Sequence, residues 1–161
     1  MKTQIKYPLV FAVSFFWLGL VLAISFLETP LKFQVPGMTL PIALELGKIM
    51  FGVSTNIQLV LLLLIGACIA YDWEKCTKKI LVTVVLLATL VALEKFWMLP
   101  ILDARADVLA SGKGLPPTPL HDYFIYAEVL KLILLIALPL FQLERKRQDK
   151  THVFNTLKIT N

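Results

Sequence analysis

Apolar residues run almost unbroken through four stretches, Tyr7 to Leu27, Gly52 to Tyr71, Ile80 to Leu99 and Tyr123 to Phe141. Each is long enough, at about 20 residues, for a helix to cross a hydrocarbon core about 30 Å thick. The pattern predicts an all-α fold: one polytopic transmembrane domain, a membrane four-helix bundle, followed by a basic tail over residues 142–161. Between helices 2 and 3 the polar break from Asp72 to Lys79 is short, which makes those helices antiparallel neighbours. The other two breaks are richer and predict structured outward loops. In the first, Glu28 to Pro41, the residues Pro30, Pro36, Gly37 and Pro41 forbid a continuous helix and predict a re-entrant or surface-hugging turn. Beyond it, Ile42 to Phe51 can extend helix 2 to about 30 residues, roughly 46 Å. In the last loop, Ser111-Gly112-Lys113-Gly114 and Pro116-Pro117 break the chain, and Thr118-Pro119 reads as an N-cap with proline at the first helical position.

Composition agrees with membrane residence: 58% of the 161 residues are hydrophobic and the mean hydropathy is +0.77. The first stretch follows Lys2 and Lys6, but its apolar run is too long for a signal peptide and lacks a small-x-small cleavage site, so a retained helix is expected. Ten of the sixteen Lys and Arg residues lie in the N-terminus, the Asp72 to Lys79 loop and the tail, including Arg145, Lys146, Arg147, Lys150 and Lys158. By the positive-inside rule these segments face the cytoplasm, which places both termini there. The net charge of +5 is then a topology signal and not a nucleic-acid footprint. Tyr71 and Trp73 at one boundary, and Trp97, Tyr123 and Tyr126 at the other, fit aromatic belts, while Trp17 at mid-helix predicts bundle packing. Gly19 with Ala23, Gly66 with Ala70 and Ala88 with Ala92 have the spacing that lets helix backbones approach in lipid. Cys68 and Cys76 match no redox or metal spacing.

Charges inside the apolar stretches carry the candidate chemistry, because an ionised side chain costs about 2.5 to 3.5 kcal/mol at mid-helix. At 1.5 Å per residue, Glu94 and Glu128 each lie about 21 Å from the cytoplasmic edge, with Lys95 at about 22 Å and Lys131 at about 17 Å. Two carboxylates and two ammoniums thus share one depth. Asn56 is at about 24 Å, with Glu45 on roughly the same face of helix 2, and Glu28 and Lys32 close helix 1. Glu94, Met98, Ile101 and Arg105 align if helix 3 survives Pro100, and His121 aligns with Glu128. A polar pocket in the outward half follows, made from Glu94, Glu128, Lys131, Lys95, Arg105, His121, Glu28, Lys32, Glu45 and Asn56. The plain alternative is local ion pairing, for which Glu28 with Lys32, Glu45 with Lys48 and Glu128 with Lys131 have the helical spacing.

Other chemistries lack their residue sets. His121 is a lone imidazole with no Glu-x-x-His or His-x-x-x-His partner, and His152 lies across the membrane, so neither a metal nor a haem is expected. Ser111 has no Gly-x-Ser-x-Gly context, and Ser111-Gly112-Lys113-Gly114 lacks the spacing of a phosphate loop. No cofactor and no catalytic residue is assigned.

The run Glu28-Thr29-Pro30-Leu31-Lys32-Phe33 after Trp17-Leu18-Gly19, then Asp103-Ala104-Arg105, His121, Tyr123, Glu128 and Lys131, resembles an uncharacterised family of small four-helix bacterial inner-membrane proteins. It shows fainter similarity to the transmembrane-protein-205-like group of unknown function. The resemblance covers most of residues 10–135 and implies the fold and the location, with no activity attached.

Three functions compete on these grounds. The leading one is an inner-membrane protein whose outward-facing pocket binds or conducts a small solute or ion, with Glu94 and Glu128 as the proton- or cation-responsive groups and Lys131, Lys95 and Arg105 as counter-charges. The second is a non-catalytic assembly subunit in a homodimer or larger membrane complex, its charges locking helix register. The third is an interfacial enzyme acting on a lipid-linked substrate.

Overall fold

The computed structural model describes residues 2–146, and the tail residues Arg147, Lys150, His152 and Lys158 lie outside them. Four helices carry the fold: α1 Pro8–Lys32, α2 Leu40–Tyr71, α3 Lys78–Ala110 and α4 Leu120–Leu140. All four are long and apolar enough to cross a membrane. The chain is a multi-pass membrane helical bundle. α1 packs on α2 and α4, and α3 packs on the same two, so consecutive helices close a ring.

The predicted extension of helix 2 is present, and at 32 residues α2 reaches back to Leu40. Helix 3 likewise continues through Pro100 for 33 residues. Proline has no N–H and its ring clashes with the carbonyl one turn earlier, so continuation needs a wider turn. The backbone supplies one in each case. Leu22–Glu28 is π-helical just before Pro30, and Glu94–Met98 is π-helical just before Pro100. Helix 1 therefore runs on to Lys32, and only the short stretch from Phe33 to Thr39 forms the turn expected over the whole of Glu28 to Pro41. Gly37 makes that turn possible by adopting a φ of 81°, a left-handed conformation that other residues rarely take. At α4 the helix begins at Leu120, one residue later than the Thr118-Pro119 signal implied, and Leu120 N–H donates to the Thr118 hydroxyl across 3.4 Å.

One element has no counterpart in the hydrophobic pattern. Strand β1 (Lys2–Ile5) pairs antiparallel with β2 (Leu143–Lys146), Lys2 opposite Lys146 and Ile5 opposite Leu143. Both ends of the described chain consequently meet at one end of the bundle, called here the ribbon end. The Tyr7 hydroxyl donates to the Asp72 carbonyl across 2.6 Å, tying the α2–α3 connection to the same place.

The core near the ribbon end is apolar, built from Val10, Val13, Ile65, Ile69, Ile80, Leu87, Leu135 and Leu138. The outer surface is apolar too, as a lipid-facing wall requires: Leu63 is 73% and Phe96 74% exposed. The two glycine-containing pairs, Gly19 with Ala23 and Gly66 with Ala70, lie on that wall and not between helices. A Cβ at Gly19 or Gly66 would meet no atom within 4 Å. Among the glycines only Gly47 makes a tight approach, 3.0 Å from its would-be Cβ to Lys32 Nζ.

Candidate functional site

In α4, Glu128 and Lys131 are spaced so that both project to one side, and that side faces the bundle axis. Glu94 reaches the same point from the π-helical turn of α3. Lys131 Nζ donates to Glu94 Oε2 across 2.5 Å and to Glu128 Oε1 across 3.0 Å. A third bond, 2.8 Å long, goes to Gln58 Oε1 of α2. The same amide oxygen accepts from Trp17 Nε1 of α1 at 3.0 Å, and Gln58 Nε2 donates to the Ser54 hydroxyl at 3.2 Å. Each of the four helices thus sends at least one polar atom into one network. The ammonium of Lys131 uses all three of its donors.

The network is sealed. Lys131 and Glu94 side chains are 0% exposed and that of Glu128 is 3%. Two lone oxygens remain: Glu94 Oε1 and Glu128 Oε2 are buried without a hydrogen-bond partner. Taken as ionised, two carboxylates and one ammonium leave a formal charge of −1 at a point from which water is excluded. An unbalanced charge there is expensive, and binding of one proton or one monovalent cation removes it.

The remaining residues expected in this pocket go elsewhere. Lys95 follows Glu94 directly, and a step of about 100° along the helix carries its side chain away from the axis. On the outside of the bundle it donates to Asn56 Oδ1 at 2.8 Å. Arg105 Nη2 donates to the Pro116 carbonyl at 2.6 Å, stapling the α3–α4 loop to α3. His121 is exposed. Glu45 accepts from Lys48 at 3.3 Å on the surface, and Lys48 also pairs with Asp107 across the α2–α3 seam. Lys32 is buried beside Glu28 at 3.6 Å, its ammonium 5.8 Å from the Phe33 ring and 6.0 Å from that of Phe51. The expected quartet is therefore a trio with one base, and the other residues, His121 apart, make separate contacts around it.

Gln58 and Ser54 entered the site unannounced. Gln58 interrupts the apolar run from Gly52 to Tyr71 about 20 Å above Tyr71, the height computed for Glu94 and Glu128. The depth count took Asn56 as the polar residue of helix 2 at that level and passed over Gln58 two residues on, which points about 200° away around the helix and is the one that faces the axis.

Two open grooves, of about 390 and 300 Å³, lie at the ribbon end, one lined by Lys6, Tyr7, Cys68 and Asp72 among others, the second by Lys78, Lys79, Val82, Thr83 and Phe141. Neither includes a member of the trio. Among the described residues, no group of three or more His, Cys, Asp or Glu side chains could hold a metal ion. No protein-family model, no curated protein and no solved structure matches this chain.

Proposed function

We propose that the protein is an ion-responsive bacterial inner-membrane protein, both termini cytoplasmic, that binds a single proton in the trio Glu94, Glu128 and Lys131. It would belong with the small four-helix inner-membrane proteins that its sequence resembles. The observation that carries the reading is the stoichiometry of the sealed centre: two carboxylates, one ammonium, and one unpartnered oxygen on each carboxylate. A proton needs no cavity, in keeping with packing too tight for a larger solute. Shared between the two acids, it would neutralise the centre and titrate as a property of the pair. Lys131 is the fixed counter-charge, with Gln58 and Trp17 orienting it; the Lys95 and Arg105 ammonium and guanidinium lie outside the trio.

Infrared difference spectra of the protein in lipid nanodiscs, recorded between about pH 5 and 8, test this. A protonated-carboxyl band that titrates, and is lost or displaced in both Glu94→Gln and Glu128→Gln, is the expected result. Spectra with no such band, or a band untouched by both substitutions, would remove the reading.

The meeting of all four helices in one network favours a second reading, a lock that sets helix register in an assembly subunit. Replacing the whole trio separates them (Glu94→Leu, Glu128→Leu and Lys131→Met together). A pure lock would lose specificity of packing, whereas a proton site would keep a folded bundle that no longer responds to pH.

A further inference from the structure

The pair left on the outer wall, Lys95 and Asn56, has no explanation in the sealed trio. Both lie about 22 to 24 Å from the ribbon-end boundary, some 6 to 8 Å below the far edge of a 30 Å core. Asn56 is exposed, with Val53 and Val60 a turn away on either side at 54% and 63% exposure, so the flank is otherwise hydrocarbon-facing. An ammonium in such a place usually escapes by snorkelling to the nearer headgroups. Lys95 does not. Its Cα–Cβ bond tilts toward the start of α3, away from the nearer boundary, and its Nζ is held at the depth of Asn56 by the 2.8 Å bond. That bond uses one of three N–H donors. Among the described residues no carboxylate pairs with Lys95, since the two acids at its depth, Glu94 and Glu128, are both committed to Lys131.

We infer that this flank of α2 and α3 is a lateral docking surface for a membrane-spanning helix of another protein, one that presents a carboxylate 6 to 8 Å below the bilayer edge. The carboxylate completes the donors of Lys95, and the Asn56 amide N–H group supplies a second bond to it. Burial beneath a neighbouring helix removes both polar groups from lipid. A second copy of this chain does not offer that carboxylate, because its two acids at this depth, Glu94 and Glu128, are buried against Lys131.

The experiment uses the full chain in vesicles of phosphatidylcholine, alone and with phosphatidylglycerol added, and a synthetic Leu/Ala transmembrane peptide carrying Glu, Gln or Leu at that depth, with association read by energy transfer. The Glu peptide is expected to bind at least tenfold tighter than the Leu peptide. Lys95→Met should abolish that preference, and Asn56→Leu should weaken it. Lys95→Glu should reverse it, selecting a peptide with Lys at the same position, so that the result does not hang on one variant. Equal binding of Glu and Leu peptides to the wild-type chain overturns the inference, as does a Glu preference that survives Lys95→Met. Equal peptide binding together with Lys95-dependent enrichment of phosphatidylglycerol around the protein also overturns it, and gives the flank to a lipid headgroup.

Discussion

The two halves of the bundle are made by the same four helices and solve the problem of buried polar atoms in opposite ways. Toward the ribbon end, apart from the Tyr7 tie to the α2–α3 connection, buried polar side chains bond to the carbonyl one turn back in their own chain segment: Ser14 donates to the Val10 carbonyl at 2.7 Å, Thr83 to Lys79 at 2.8 Å and Gln142 to Leu138 at 3.2 Å. Such groups are satisfied whatever the neighbouring helix does. The other half also has bonds within a helix, such as Thr55 to Phe51, but there side-chain bonds cross between helices as well, from Trp17 to Gln58, from Lys131 to Gln58 and Glu94, and from Lys95 to Asn56. Lipid tails solvate Leu and Ile as well as a neighbouring helix does, so apolar packing gives close fit but weak orientation. Directional bonds supply the orientation. The half that fixes how the helices face one another is also the half that carries the charge.

This contrast can be broken by substitution. The largest effect is expected from Lys131→Met, which strands two carboxylates in a dry core and should cost about 3 to 5 kcal/mol in detergent-micelle unfolding. Little or no loss would mean that the trio does not set the stability of its half. Gln58→Leu removes the amide shared by Trp17 and Lys131 and should cost about 1 to 3 kcal/mol; the loss should shrink sharply when Trp17→Phe is already present, and simple additivity would argue that the two do not act together. Thr83→Val, at a hydroxyl that serves only its own helix, should cost about 1 kcal/mol or less by the same measurement. A cost equal to that of Gln58→Leu would erase the distinction between the halves. The smallest expected change is a gain of about 0.5 kcal/mol for Gly66→Ala, since its new methyl group meets open space on the lipid wall and alanine is the better helix former. A loss there would put another helix against that face.

Much of the fold was legible because run length and depth are one-dimensional. Apolar stretches located all four helices, and the extension of α2 followed from Ile42 to Phe51. The sequence misled where a local device overrode a general rule. Pro30 read as a break and Pro100 left the continuation of helix 3 open, yet a π-turn before each let the helix pass, and nothing in the residue types announces a π-turn. Within the site, counting residues placed Glu94, Glu128, Lys131 and Lys95 at one depth, but depth says nothing of the direction around the helix. Adjacent residues such as Glu94 and Lys95 point about 100° apart, so only one of them could face the axis. The spacing of Glu128 and Lys131 carried that angular information, and those two do stay together. The terminal ribbon left no trace in hydropathy, because strands of four residues with a single apolar residue each, Ile5 and Leu143, have no apolar period to read.

That ribbon has a consequence for how the molecule is made. Its second strand follows α4, so the pairing closes only after the last helix has crossed, and the N-terminal strand must wait on its own side of the membrane throughout synthesis. Closure then joins the beginning and the end of the described fold like a clasp, and fluorescent proteins fused before Lys2 and after the tail would report, by a jump in energy transfer, the moment at which insertion is complete.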